Sequence, residues 1–308
     1  MLQDQSLLDE AEQRWEAVVA LRPDLETTVE IQRRLVGRGL SLAEAVGDNM
    51  PATARIQPGE IVIKLRAGTP VFIGTPIDVV GETLKPFVLG FCDDLAAGDA
   101  DGPASRLRHR LEDGEIDIGS LIAASLGRQQ EAIRTKAQHV GISPDLLWLV
   151  AELAAGPIAY RLQRELPEDD HETQALVAGW SHGYCPACGS WPAFAERVGT
   201  HRSLRCSFCA LAWEPPTHGC IYCEETGEAF VTATPDTDST ARLEMCQQCG
   251  GYLKSLAVPA PTPFVLLPVA DLESSTLDLG AVGRGYGRPA MREFSTTGSV
   301  PCPPIIET

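Results

Sequence analysis

The sequence predicts an α+β chain: an all-α first half, residues 1–165, then two small cysteine-rich units and a short C-terminal helix. Three observations predict it. Helix-start signals recur before residue 165, four Cys-x-x-Cys pairs crowd residues 185–249, and a polar, acidic stretch containing Pro167 (Glu165 to His171) lies between the two regions.

The helical half rests on local start signals. Ser6 with Asp9, and Ser41 with Glu44, fit the S/T-x-x-D/E box that satisfies free N–H groups at a helix start. Asp24 is placed to cap a helix carrying Leu25, Val29, Gln32 and Leu35, its apolar members on one face. Ser143-Pro144-Asp145 sets a cap and then proline in the first turn, ahead of Leu146-Leu147-Trp148-Leu149. The apolar stretch Leu146–Leu162 is interrupted by Glu152, Gly156 and Pro157. It is shorter than the ~20 apolar residues a membrane span needs, so it reads as a buried helix. Between Ile56 and Val80, Ile61-Val62-Ile63-Lys64-Leu65 reads as extended, and Pro51, Pro58, Gly68, Pro70, Gly74 and Pro76 punctuate the surroundings. The expectation is a loop crossing the helical domain, without a second sheet.

Composition narrows the functional classes. A chain of 308 residues, 44% hydrophobic and 22% charged, has room for two domains of roughly 150 residues each. A formal net charge of −17 disfavours phosphate backbones and anionic lipid as general partners, because like charges repel at long range. The start, Met1-Leu2-Gln3-Asp4-Gln5, is acidic and polar where a secretion signal would be basic and then apolar, which predicts a cytoplasmic protein. In a reducing compartment, clustered cysteines bind metal or carry redox chemistry more often than they form disulfide scaffolds.

Eight of the ten cysteines form the pairs Cys185/Cys188, Cys206/Cys209, Cys220/Cys223 and Cys246/Cys249. Two residues between cysteines let one tight turn aim both sulfurs at a single ion, and two such turns complete a tetrahedral four-thiolate site. Seventeen residues separate the first two pairs and twenty-two the last two, in or near the range for such sites. The simplest grouping is sequential, Cys185, Cys188, Cys206 and Cys209 for one ion, and Cys220, Cys223, Cys246 and Cys249 for the other. An interleaved, cross-braced grouping is the alternative. Gly189 and Gly250 each follow a pair and permit positive φ, so that backbone N–H groups can face the sulfurs. Cys185-Pro186-Ala187-Cys188-Gly189 therefore reads as a rubredoxin or zinc-ribbon knuckle. The expected organisation is a first rubredoxin-like unit at 180–215, a second at 216–262, a C-terminal segment with a helix at 263–293 and a tail at 294–308. In the C-terminal segment, Phe264-Val265-Leu266-Leu267 reads as extended and Asp271 to Leu279 as partly helical. Thiolates accept zinc or iron, so the metal stays open. Cys92, in Phe87-Val88-Leu89-Gly90-Phe91-Cys92, reads as a buried thiol, and Cys302 as incidental. His182 and His218 lie near cysteine pairs without ligand spacing.

These residues resemble the formate dehydrogenase accessory protein (FdhE) family. The resembling stretches are Trp180–Pro192 (WSHGYCPACGSWP), Leu204–Trp213 (LRCSFCALAW), Cys246–Lys254 (CQQCGGYLK) and Ala270–Leu279 (ADLESSTLDL). The resemblance implies a helical domain, two rubredoxin-like metal units, and a non-catalytic cytoplasmic chaperone role in maturing formate dehydrogenase by binding its catalytic subunit. It departs from the family at Glu214 and Thr217, where members tend to carry a histidine and an arginine. Two other classes compete. A nucleic-acid-binding zinc ribbon is opposed by the acidic balance and by the scatter of Arg202, Arg205 and Arg242. A thiol oxidoreductase would need an exposed Cys-x-x-Cys at a helix N-terminus. No catalytic residue is assigned, no membrane insertion is expected, and self-association stays open.

Overall fold

The computed structural model describes residues 2–97, 99, 101–166, 170–235 and 240–289. The expected tail at 294–308, with Cys302, lies outside them. The described residues divide into two compact units, and the division is discontinuous: those up to 56 and within 74–166 form one, and 57–73 with those from 170 onward form the other. The helical unit is thus not the unbroken 1–165 segment expected from the sequence.

The first unit contains α1 (Leu2–Leu21), α2 (Glu26–Asp48), β1 (Ala52–Ala54), β2 (Ile77–Val79), α4 (Gly81–Ala96), α5 (Pro103–Glu112), α6 (Ile118–Leu126), α7 (Gln130–Val140) and α8 (Pro144–Arg164). Helix α8 is its core: Leu147, Val150, Ala151, Ala154, Ala155, Ile158 and Ala159 are fully buried, and α2, α4, α6 and α7 pack on it. Its alanines bring neighbouring backbones close, as ridge-and-groove packing requires. It begins where proline allows, with Pro144 in the first turn and Leu147 N–H donating to Ser143 O at 3.1 Å. The other start signals are not used as caps. Ser6 and Ser41 lie inside α1 and α2, and the Ser41 hydroxyl bonds back to Gly37 O at 3.1 Å, a mid-helix alternative open to serine. Asp24 sits in a 3-10 turn ahead of α2 and pairs with Arg22 at 2.7 Å instead. Strands β1 and β2 form a small antiparallel ladder, Thr53 opposite Asp78, that the sequence did not announce.

The second unit takes α3 (Pro58–Arg66) from the first half of the chain. The run Ile61–Leu65, expected to be extended, is helical. Ile61 and Leu65, four residues apart, are buried on one face while Ile63 is 68% exposed. Short apolar runs are locally ambiguous, and here packing against α9 (His171–Ala178) decides. The strands β3 (Pro192–Val198), β4 (His201–Cys206), β5 (Ala212–Trp213), β6 (Phe230–Ala233), β7 (Ala241–Cys246) and β8 (Tyr252–Ala257) form one sheet of order β5-β4-β3-β8-β7-β6. Two three-stranded antiparallel repeats meet at its centre through parallel pairing of β3 and β8. Phe264–Leu266, expected to be extended, is a 3-10 turn leading into α10 (Leu267–Glu273) and α11 (Ser275–Val282). Among the described residues, no helix is long and apolar enough to cross a membrane.

Candidate metal centres

Each repeat runs in the same order: knuckle, strand, strand, knuckle, strand. Hairpin register brings the two knuckles together. In the first repeat Pro192 faces Cys206 across β3 and β4, and in the second Phe230 faces Cys246 across β6 and β7. The residue after each of those cysteines repeats the match, Ser207 N–H donating to Trp191 O at 3.3 Å and Gln247 N–H to Ala229 O at 2.8 Å.

All four knuckles share one backbone form. The N–H of the first cysteine donates to the carbonyl five residues on, from Cys185 to Ser190 at 2.9 Å, Cys206 to Leu211 at 3.0 Å, Cys220 to Glu225 at 2.8 Å and Cys246 to Gly251 at 2.9 Å. The fourth residue after that cysteine has positive φ in every case: Gly189 at 82°, Ala210 at 58°, Glu224 at 64° and Gly250 at 66°. Only the two glycines were legible as such from the sequence. At Ala210 and Glu224 the closed turn holds a side-chain-bearing residue in a region that costs it roughly 1–2 kcal/mol.

The structure brings the eight cysteines into two groups, Cys185, Cys188, Cys206 and Cys209, and Cys220, Cys223, Cys246 and Cys249, with the sulfurs of each group within 4.8 Å of one another. Closest sulfur pairs are Cys188–Cys206 at 3.4 Å, Cys185–Cys209 at 3.5 Å, and Cys220–Cys249 and Cys223–Cys246 at 3.6 Å. These separations far exceed a disulfide's ~2.05 Å. They approach the roughly 3.8 Å edge of a tetrahedron with 2.3 Å metal–sulfur bonds. Each group therefore fits one thiophilic ion. Backbone N–H groups of Phe208 and Cys209 both point at Cys206 Sγ, at 3.4 Å, and would hold part of a thiolate's charge.

The environments differ. All four cysteines of the first group are 0% exposed, and burial pushes the Cys185 and Cys209 thiols well up. In the second group Cys223 and Cys249 are half-exposed. There the hydrogen bond from the Cys220 thiol draws Cys249 down to about 5, while sharing that proton raises Cys220. A bound cation would reverse the cost of ionising the buried thiols, because ligation requires thiolate.

An aromatic layer, unassigned by sequence reasoning, lies beside both groups. Trp191 stands edge-on to Tyr184 (6.1 Å between ring centres) and to Tyr222 (5.0 Å), the latter inside the Cys220 knuckle. The Trp180 indole N–H donates to Tyr184 O at 2.7 Å, and the Tyr222 hydroxyl to Tyr252 O at 3.0 Å. His182 stacks on Tyr184 and lies 3.8 Å from Glu224, and His218 lies 3.8 Å from Glu244. Neither belongs to a cysteine group. Cys92 is fully buried in α4 of the other unit.

No family profile matches the chain. Protein FdhE of Escherichia coli O127:H6 is 33% identical over 120 residues, 38% of this chain and 38% of that protein. Protein FdhE of Shigella boydii serotype 18 is 32% identical over 120 residues with the same shares. The sequence match thus spans under two fifths of these curated relatives. The crystal structure of the FdhE protein from Pseudomonas aeruginosa superposes with a TM-score of 0.58 at 24% identity, covering 92% of this chain and 93% of that one. The chain is therefore similar to FdhE proteins, over 120 residues in sequence and over nearly its whole length in fold.

Proposed function

We propose that this protein is a non-catalytic accessory factor for formate dehydrogenase, acting in the cytoplasm as a maturation chaperone that binds the enzyme's catalytic subunit. It carries two metal ions, iron or zinc, one on Cys185, Cys188, Cys206 and Cys209 and one on Cys220, Cys223, Cys246 and Cys249. The observation that carries the reading is the pair of four-sulfur clusters in a chain similar to FdhE proteins in sequence and in fold. The metals tie the paired knuckles to a sheet that also buries Phe194, Leu204, Leu243, Met245 and Leu253. Structural zinc sites contribute about 10–16 kcal/mol in small domains of this kind.

The competing classes gain no support from the site. Every Cys-x-x-Cys pair belongs to a set of four, at strand ends and turns, and none opens a helix as a thioredoxin-like dithiol would. Arg202 is committed to Glu244 at 2.8 Å and Arg205 to Thr262 O at 2.6 Å, which withdraws both from nucleic-acid phosphates.

The test is oxygen-free capture from the lysate of the protein's own organism, with a Cys206→Ser/Cys246→Ser variant alongside. Selective retention of a formate dehydrogenase catalytic subunit by the intact protein supports the reading. Normal formate dehydrogenase activity in a strain lacking the gene would sink it.

A further inference from the structure

Resting on the reading of two metal sites, we infer that they are kinetically unequal: the Cys185 site is locked by a strap from residues 67–73, whereas the Cys220 site exchanges its ion without unfolding. Three observations carry this. First, all four sulfur-bearing residues of the Cys185 site are 0% exposed, while Cys223 and Cys249 of the other site are half-exposed. A chelator must reach a sulfur or the ion behind it, so it meets the second site directly.

Second, the knuckle of the buried site is bonded to the strap. Val71 N–H donates to Pro186 O at 2.9 Å and Phe72 N–H to Ala187 O at 2.8 Å, the two residues between Cys185 and Cys188. Val71 and Phe72 are 0% and 1% exposed. The strap is itself pinned: Lys64 Nζ donates to Val71 O and Ile73 O at 3.2 and 2.5 Å, and the Tyr184 hydroxyl donates to Gly68 O at 2.8 Å. Exposing this site means breaking that set together, a sub-global opening rather than a local fluctuation.

Third, the second site is less tightly packed. A cavity of about 10 Å³, room for roughly one water molecule, lies against Cys220, Tyr222 and Gly251. Its Cys246 knuckle is bonded to Ala229, through Gln247 N–H at 2.8 Å, and to Gly287, whose N–H donates to Gly250 O at 2.9 Å. With these contacts in place Cys249 is still partly exposed.

The full-length protein, loaded with zinc alone, would first be assayed for metal content and then challenged with excess chelator while release is followed by a colorimetric zinc dye. Two equivalents released in two equal phases, the fast one at least about tenfold faster, is the expected result. The fast phase disappears in Cys223→Ser. Phe72→Ala, or the milder Tyr184→Phe, accelerates the slow phase and leaves the fast one unchanged. Cadmium-113 resonances of the same variants report which four-sulfur site is lost. Two equivalents leaving in one phase, or a fast phase that survives Cys223→Ser, overturns the inference while leaving both sites standing. Fewer than two equivalents at the outset overturns the two-site reading beneath it.

Discussion

A side-chain carbon placed on Gly183 would lie 2.0 Å from the carbonyl oxygen of Ile221. The approach to the first knuckle of one cysteine group is therefore in backbone contact with the second group, and only glycine permits it. Gly183→Ala must push two knuckle-bearing segments apart. Overpacking of this kind costs about 1–3 kcal/mol. Urea denaturation of the metal-loaded protein should show the loss, and an unchanged midpoint would mean the segments separate freely.

Positive φ at the fourth knuckle position predicts substitutions of opposite sign. Glu224→Gly relieves a left-handed glutamate at an exposed turn and should stabilise by roughly 0.5–1 kcal/mol, after allowing for glycine's greater unfolded-state freedom. Gly250→Ala introduces the same strain and should destabilise by about 1 kcal/mol. Paired thermal melts decide. Equal melting temperatures in both variants would contradict the shared knuckle geometry.

Lys254 is fully buried, with Nζ 2.7 Å from Asp271 and 2.8 Å from Asp278. It holds α10 and α11 to β8, and Arg288 closes the same network at 2.9 Å from Asp278. Removing one partner of a buried pair costs about 3–5 kcal/mol. Asp271 is 40% and Asp278 26% exposed, so solvent screening lowers the expected cost of Lys254→Met to roughly 2–3 kcal/mol. Chemical denaturation measures it, and a loss below that of an ordinary surface lysine would show the network to be slack.

Metal and protons should compete, with a sign that depends on loading. In metal-free protein, burial raises the Cys185 and Cys209 thiols above their unfolded values. That stability is present below the unfolded thiol pKa and is lost as pH rises above it. With metal bound the sign reverses, since ligation needs thiolates and acid displaces the ion. Above the unfolded thiol pKa the metal-free protein should therefore lose melting temperature that the loaded protein keeps, while on the acid side both fall, the metal-free protein because Cys249 is drawn down to about 5. Parallel profiles would refute thiolate ligation.

Cys92 provides an internal control. Burial raises its thiol to about 12, and thiolate is the reactive form. Iodoacetamide at pH 8 should leave Cys92 unmodified in the native protein and label it fully in denaturant, as read by peptide mass spectrometry. Native labelling would place it nearer the surface.

The cysteine sets were legible because their information is local: two intervening residues close a turn, and the chain between pairs is long enough for one hairpin. Helix α8 was legible for a similar reason, since Ser143-Pro144 marks a start that proline's fixed φ favours. Local signals misled at Ile61–Leu65, where an apolar run fits strand or helix equally well until α3 packs on α9 with Ile61 and Leu65 buried. They misled again at Ser41, because the same short pattern occurs inside helices.

By itself the sequence determined the four Cys-x-x-Cys pairs, with sequential and interleaved groupings both open, and that helices precede them. Tertiary structure decided the rest. Parallel pairing of β3 with β8, and delivery of residues 57–73 to the cysteine-bearing unit, join segments more than fifty residues apart. Those long-range contacts bury one sulfur cluster and leave the other half-open. Exposure is a property of what packs over a residue, and no spacing rule along the chain encodes it.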